Sequence, residues 1–484
     1  MRCHAALMKW ISRAILTVML LAAAALLAFG PRPNHQVPPG RTIVTYWEKW
    51  TGPDAEAMRS IVNDFNATVG EKKNIYIQYI SLANVQHKTL AAIAGGVPPD
   101  IAGLWTSQLV QYALGGVAIP LNDLAREHGI DAGDYKKIFW DMCTYRGRLW
   151  AVPTTPAVVA LHYNKRFFYE AADKLEALGF DPTLPPQSIA EFDQYAQALD
   201  MRGPDGRLSR AGYFTMDSGW YIAVTGTWFG GGNWDAQRQR YTVATTQNQA
   251  AFEWIAGYSR RMGADVFQDF RSGLGGFASP TNPFISGAVA MVQQGPWMGN
   301  YIKAYGPDMS QAMVPFVLEP FLPRVVRLFN YDWAVAAFPS AVPGVKDVGY
   351  CESDTLMIPR GAPHPREAFE FIVYTQRSEV MEKLCKLTWK NSPLKKTSDD
   401  FVYTHPNPYV DVFDRIAASP TSKAIDQTPI YNWGLTQIDL AAQNTYLLKK
   451  SPHQALADAQ AALDARLERY EEQDRKRQSD KVAR

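Results

Sequence analysis

Apolar and polar positions follow two alternating rhythms in the first part of the chain. Residues 42–47 (TIVTYW) read as a buried strand. Residues 55–68 then place Ala57, Met58, Ile61, Val62 and Phe65 at helical spacing, behind Pro53 and Asp54 as a start signal. A strand pattern returns at 74–80, a helix pattern at 85–94 closed by Gly95-Gly96, and a short strand at 101–104. The stretch 42–105 therefore predicts βαβαβ, a parallel sheet wrapped by helices. Sheets of that kind open their ligand crevice at the carboxyl ends of the strands. Trp47, Glu48 and Trp105 fall at that edge, with Ser107 and Gln108 just beyond.

The stretch 145–165 (YRGRLWAVPTTPAVVALHYNK) organises the rest of the chain. A polar turn leads into a strand at 149–152, Pro153 to Pro156 break it, and a second strand runs over 157–161. Proline cannot donate a ladder hydrogen bond and marks strand ends. The pattern predicts a crossover from one sheet to another, and hence two lobes able to close on a ligand. Further on, helices are expected at 167–178, 189–201 (with Ser188 as cap), 220–228, 248–262, 365–375, 380–387, 429–449 and 452–470. Strands are expected at 288–292, 313–316, 333–338 and 353–358. From 471 to 484 the chain is so highly charged that a frayed, solvated tail is expected. There is no internal repeat.

Composition bounds the function classes. At 484 residues the chain exceeds one ordinary core. With 47% hydrophobic and 20% charged residues it is globular and not disordered. Net charge is +2, and removing Arg2, Lys9 and Arg13 from the 49 basic residues leaves 46 against 47 acids, which gives nucleic acid no footprint. Those three cations precede the apolar run 15–29 in the order of a secretory signal, so residues 1–30 are expected to be a signal peptide. Uncleaved, residues 10–29 are long enough to anchor the chain in the inner membrane. Either way the body is exported to the periplasm or beyond, behind a Pro-rich linker at 31–40. Cys143, Cys351 and Cys385 allow one disulfide but form no CxxC pair, and the histidines lack HxxxH or HExxH spacing. No metal and no cofactor is expected. Fourteen tryptophans supply flat rings of the kind that stack on sugars, although core packing is the ordinary use of any one of them.

Four stretches in order along residues 41–470 carry a resemblance. They are 95–101 (GGVPPDI); 145–153 with 161–165 (LHYNK); 284–291 (FISGAVAM) with Gly295-Pro296-Trp297; and 354–361 followed by 367–371. Together they resemble the extracellular solute-binding proteins of bacterial ABC sugar importers, the maltodextrin- and glycerol-phosphate-binding group among them. Three departures stand out: no lipobox cysteine, an additional stretch near 311–331, and Ala157 where maltodextrin binders look to carry an acid, which argues against maltose. The resemblance implies an α/β, two-lobe, periplasmic-binding-protein-like fold of type II with three crossovers, near Pro156, Ser353 and Trp389. The first lobe would hold 41–156 and 354–388, the second 157–353 and 389–470. It further implies a sugar, expected to be a di- or oligosaccharide, captured between the lobes and delivered to the transmembrane subunits of an ABC permease by a monomeric binder.

Strand-end position and resemblance together single out Trp105 and Trp297 as stacking rings, with Trp47, Glu48, Ser107 and Gln108 beside the first. Tyr163 is divided between hinge packing and ligand contact. Trp228 flanks the Gly230–Gly232 turn, where core packing competes with a place in the cleft. Glu352 and Ser353 mark the second crossover, Trp389 the third, and Asp332 adjoins Trp333. The rival reading is a secreted carbohydrate-active enzyme, since Glu48, Asp332, Glu352 and Asp354 could supply a carboxyl pair. Against it, neither GxSxG nor a phosphate loop occurs.

Overall fold

The structure, a computed structural model, describes residues 17, 38–215, 222–306, 309 and 332–482. The expected leader, most of the linker, the strand expected at 313–316 and the additional stretch near 311–331 lie outside these residues, as does the start of the helix expected at 220–228. The longer strands are β1 (Thr42–Glu48), β2 (Ile75–Ser81), β3 (Ile101–Trp105), β4 (Val152–Val158), β5 (Ala160–Asn164), β6 (Leu208–Tyr213), β7 (Val289–Gln294), β8 (Trp333–Ala336) and β9 (Tyr350–Met357).

The first sheet runs β9-β3-β1-β2, with β1 parallel to both β2 and β3 as the βαβαβ pattern predicts. The helices Gly52–Ala67 and Val85–Ala94 make the crossovers. Met58, Ile61, Val62 and Phe65 bury the inner face of the former. β9 enters antiparallel beside β3, β4 pairs with β9, and the short strand Lys423–Ala424 closes the edge. The expected break at Pro153–Pro156 does not occur: β4 runs straight through both prolines. It tolerates them because its ladder partner is β9 alone, so the missing N–H groups disrupt no second ladder, and a bulge between Ser353 and Thr355 absorbs the irregularity. The change of sheet comes at Val159, whose N–H donates to Tyr350 O at 3.0 Å.

The second sheet runs β8-β5-β7-β6 and ends in Met201–Arg202. One core gathers around the first sheet from Val44 to Val152 and again from Leu356 to Val410. The other gathers around the second sheet and takes in Phe413, Ile416, Ile438 and Leu463 from late in the chain. The chain passes between sheets at Val159 and again between β8 and β9, and it runs through Trp389 toward the second core.

Three further expectations change. Residues 222–229 form a 3-10 helix, and 165–177 form two short helices in place of one. The charged tail continues as helix from Pro452 to Val482, held by an Arg240–Glu471 ion pair and a Lys476–Glu472 pair one turn apart. Cys143, Cys351 and Cys385 are buried free thiols.

Trp228 is fully buried in the second core, with its indole N–H donating to Val348 O at 3.1 Å and its ring edge-on to Phe338. Trp228→Ala is expected to cost about 3–5 kcal/mol of stability, read as a lower urea midpoint. A loss below about 1 kcal/mol would contradict a core role.

Candidate functional site

At the carboxyl end of β1 the chain turns through Glu48, Lys49 and Trp50, all buried. β9 brings Asp354 opposite Trp105, and Lys390 follows the helix Ser378–Thr388. These side chains meet at one carboxylate. Asp354 Oδ1 accepts from Lys49 Nζ at 2.9 Å and from Trp50 Nε1 at 3.2 Å. Its Oδ2 accepts from Lys390 Nζ at 2.6 Å and from Thr155 Oγ1 at 2.9 Å. Burial alone would raise the Asp354 carboxyl, but the Lys390 and Lys49 ammonium groups outweigh it and hold it well below the usual range. Lys390 shows the mirror effect: burial opposes its charge, and Asp354 with Asp54 restores it and raises its pKa. Glu48 joins through Lys49 Nζ at 3.3 Å and through the Tyr46 hydroxyl. Its carboxyl lies over Gly103 of β3, where an added Cβ would come within 2.1 Å of Oε2, so only glycine leaves room.

The ammonium groups are in turn covered by indoles. Lys49 Nζ sits 5.3 Å from the Trp105 ring, Lys390 Nζ sits 5.6 Å from the Trp297 ring, and both lie about as close to Trp50. Trp297 belongs to the loop after β7, and its ring folds back over Gly295, where a Cβ would collide at 2.2 Å. One carboxylate thus ties together a ring from the first lobe and a ring from the second.

Above this cluster opens a cleft of about 400 Å³. Trp50, Asp54, Trp105, Ser107 and Gln108 form its first-lobe wall. Trp297, Tyr301, Phe277, Tyr431, Asn432 and Leu435 face them from the second, with Phe277 and Tyr301 ring to ring at 4.7 Å. Ala157, Glu352, Asp354 and Lys390 form the floor. Larger hollows exist, one of about 640 Å³ beside Asp426, but this cleft gathers three indoles at strand ends.

Trp105, Ser107, Gln108, Trp297 and Glu352 are the expected residues that the structure brings together in the cleft. Glu48 lies buried behind it in the charge cluster. Strand alternation turns Trp47 to the opposite face of β1, where it packs on the first core, and Trp50 takes the cleft position instead. Tyr163 stacks on Phe168 at 4.9 Å inside the second lobe, and Trp228 is core, so neither lines the cleft. Ser353 is fully buried between the crossing strands, its N–H donating to Thr106 Oγ1 at 3.2 Å. Asp332 lies away from the cleft, 3.9 Å from Arg166. Trp389 caps its helix in the left-handed conformation (φ 60°) and packs against Gly299. That turn carries the chain on to Lys390, whose carbonyl lies 3.1 Å from His405 Nε2.

Glu352 is 6% exposed, and it accepts from the Ser107 N–H at 3.4 Å. Burial pushes its carboxyl up to about 7; the Ser107 contact works against this and the Asp354 charge adds to it. Asp54, in the first turn of Gly52–Ala67, is partly open as a residue, yet its Oδ1 is buried without a hydrogen-bond partner. Burial also raises its carboxyl, against the pull of Lys390.

A model of the bacterial extracellular solute-binding protein family matches residues 60–411. The chain belongs to that family. The solute-binding protein is 24% identical, over 77% of its length and 74% of the other, to an uncharacterized lipoprotein from the oleD 5′ region of Streptomyces antibioticus. Among solved structures it is similar to CpMnBP1 with mannotriose bound, at 25% identity and a TM-score of 0.71 over 87% of this chain and 99% of that one. It also resembles UgpB from Mycobacterium tuberculosis in complex with glycerophosphocholine, at 18% identity and a TM-score of 0.68 over 89% and 100%. The solute-binding protein therefore has the two-lobe α/β fold of type II expected for it, and it works outside the cytoplasm.

A buried acid whose folded pKa (about 7) exceeds its ordinary 4.5 stabilises the fold only while protonated. Stability linked to Glu352 is complete below about pH 4.5 and is lost as pH rises through about 7. Glu352→Gln is therefore expected to be more stable than the parent at about pH 8, on the order of 2–3 kcal/mol, and equal to it near pH 4. Urea titrations at both pH values check this; a less stable variant at about pH 8 would contradict it.

Proposed function

We propose that this protein is the solute-capturing component of a bacterial ABC importer for a di- or oligosaccharide. The observation that carries the reading is the placement of Trp105 and Trp297: two half-buried indoles from different lobes border one cleft and are tethered through Lys49 and Lys390 to the same Asp354. One face of a pyranose is lined by C–H groups and packs on such rings, while its hydroxyls donate to carboxylates and amides. Glu352, Ser107, Gln108 and Asn432 supply those partners here. A ligand touching both walls stabilises the closed arrangement by its differential affinity for it. The closed surface then docks, as a monomer, on the transmembrane subunits of a permease. The mannotriose-bound relative supports the sugar class.

A glycosidase reading gains nothing from Asp354, Asp332 or Glu48. Each Asp354 oxygen already accepts two hydrogen bonds or ion pairs, which leaves it poorly placed to attack an anomeric carbon or to activate water. Asp332 is remote, and Glu48 is closed off beneath the cleft floor.

Tryptophan fluorescence is expected to change on titration with the cognate saccharide, and Trp297→Ala to weaken binding by about 1–3 kcal/mol. A thermal-shift screen over mono-, di- and trisaccharides and glycerol phosphodiesters identifies the ligand. No shift with any sugar, or release of shorter sugars by the purified protein, would contradict the proposal.

A further inference from the structure

Among the described residues, the charges in and beneath the cleft do not balance. Glu48, Asp54, Glu352 and Asp354 stand against Lys49 and Lys390. Both ammonium groups are committed to Asp354, and Lys49 reaches Glu48 as well. Among the described residues, Asp54 and Glu352 have no ion pair. Burying a carboxylate without a counter-ion costs free energy that an arriving cation would recover. Among the described residues no arginine lines the cleft, and Lys390 is already paired with Asp354, so the site offers an anionic solute little attraction.

The walls point the same way. Trp50, Trp105 and Trp297 each already carry an ammonium group of the chain over the ring at 5.0 to 5.6 Å. Tyr301, Phe277 and Tyr431 add further π-faces across the cleft. Aromatic faces beside uncompensated carboxylates are a receptor for a cation. A neutral hydroxyl can donate one hydrogen bond to such a carboxylate, but it leaves the desolvated charge in place; an ammonium group donates and neutralises together.

Resting on the saccharide reading, we propose that the solute is a basic saccharide, one bearing a free amino group that Glu352 and Asp54 receive as its ammonium ion. Glu352 is the principal anchor, because it is the more deeply buried. Asp54, at the start of a helix whose dipole favours its charge, is the second.

The test is isothermal titration of the full exported chain with matched pairs that differ at one substituent: glucosamine and glucose, galactosamine and galactose, mannosamine and mannose, each as monosaccharide and trisaccharide. The amine is expected to bind at least about tenfold more tightly than its neutral counterpart in the best-bound pair. In the double variant Asp54→Asn with Glu352→Gln that advantage is expected to fall to about parity. A cooperative thermal melt shows that the variant is folded; if it is not, the comparison within wild-type pairs decides alone. A neutral sugar that binds as tightly as its amine overturns this inference and leaves the saccharide reading standing. If no member of any pair binds, both fall.

Discussion

The arrangement depends on one buried carboxylate. Asp354 sits on β9 of the first sheet, opposite Trp105 of β3, and it accepts from Lys49, Trp50, Thr155 and Lys390. These donors come from the end of β1, the crossing strand β4 and the loop after the third crossover. An ion cluster this deep is not a simple gain in stability, because desolvating the charges offsets most of their attraction. What it does is fix relative positions. Removing one of its charges would leave another buried with less compensation, so the end of β1, β9 and the turn that presents Lys390 are held together.

That unit explains why the cleft is aromatic on both sides yet polar beneath. The indoles of Trp105 and Trp297 each lie against one of the lysines that hold Asp354, so the stacking surfaces sit directly over the charge cluster. The second-lobe wall is held independently. Asn407 donates to Pro296 O at 3.0 Å and to Trp389 O at 3.2 Å, pinning the loop that presents Trp297 against the turn that presents Lys390. Stacking positions on rigid strand ends and crossovers hold a ligand more precisely than positions on long loops do.

Much of the first lobe was legible because its signals are local. Helical spacing over Met58 to Phe65 and the strand run at 42–47 need no knowledge of neighbours. Trp105 and Trp297, which border the cleft, stand out in the sequence because one ends a strand and the other follows a Gly-Pro turn at a point where the family resemblance puts an aromatic. Trp47 stands out because it ends the strand run, whereas Trp50 lies beyond the strand end, where the facing of a side chain cannot be read from alternation. Lys390 was missed for a related reason: its direction is set by the left-handed Trp389, and a tryptophan there carries no sequence mark of that conformation. Asp54 read as an ordinary helix-start acid, and its unpaired Oδ1 is a fact of tertiary packing. The prolines of β4 misled because an edge ladder forgives what a central one does not.

On this account two lobes move toward each other over a guest held between indole faces. Small-angle X-ray scattering of the exported chain, alone and saturated with a saccharide shown to bind, measures that movement directly. The radius of gyration is expected to fall on saturation while secondary structure is unchanged. An unchanged radius with ligand demonstrably bound would mean that the lobes do not close and that the cleft works as a fixed pocket.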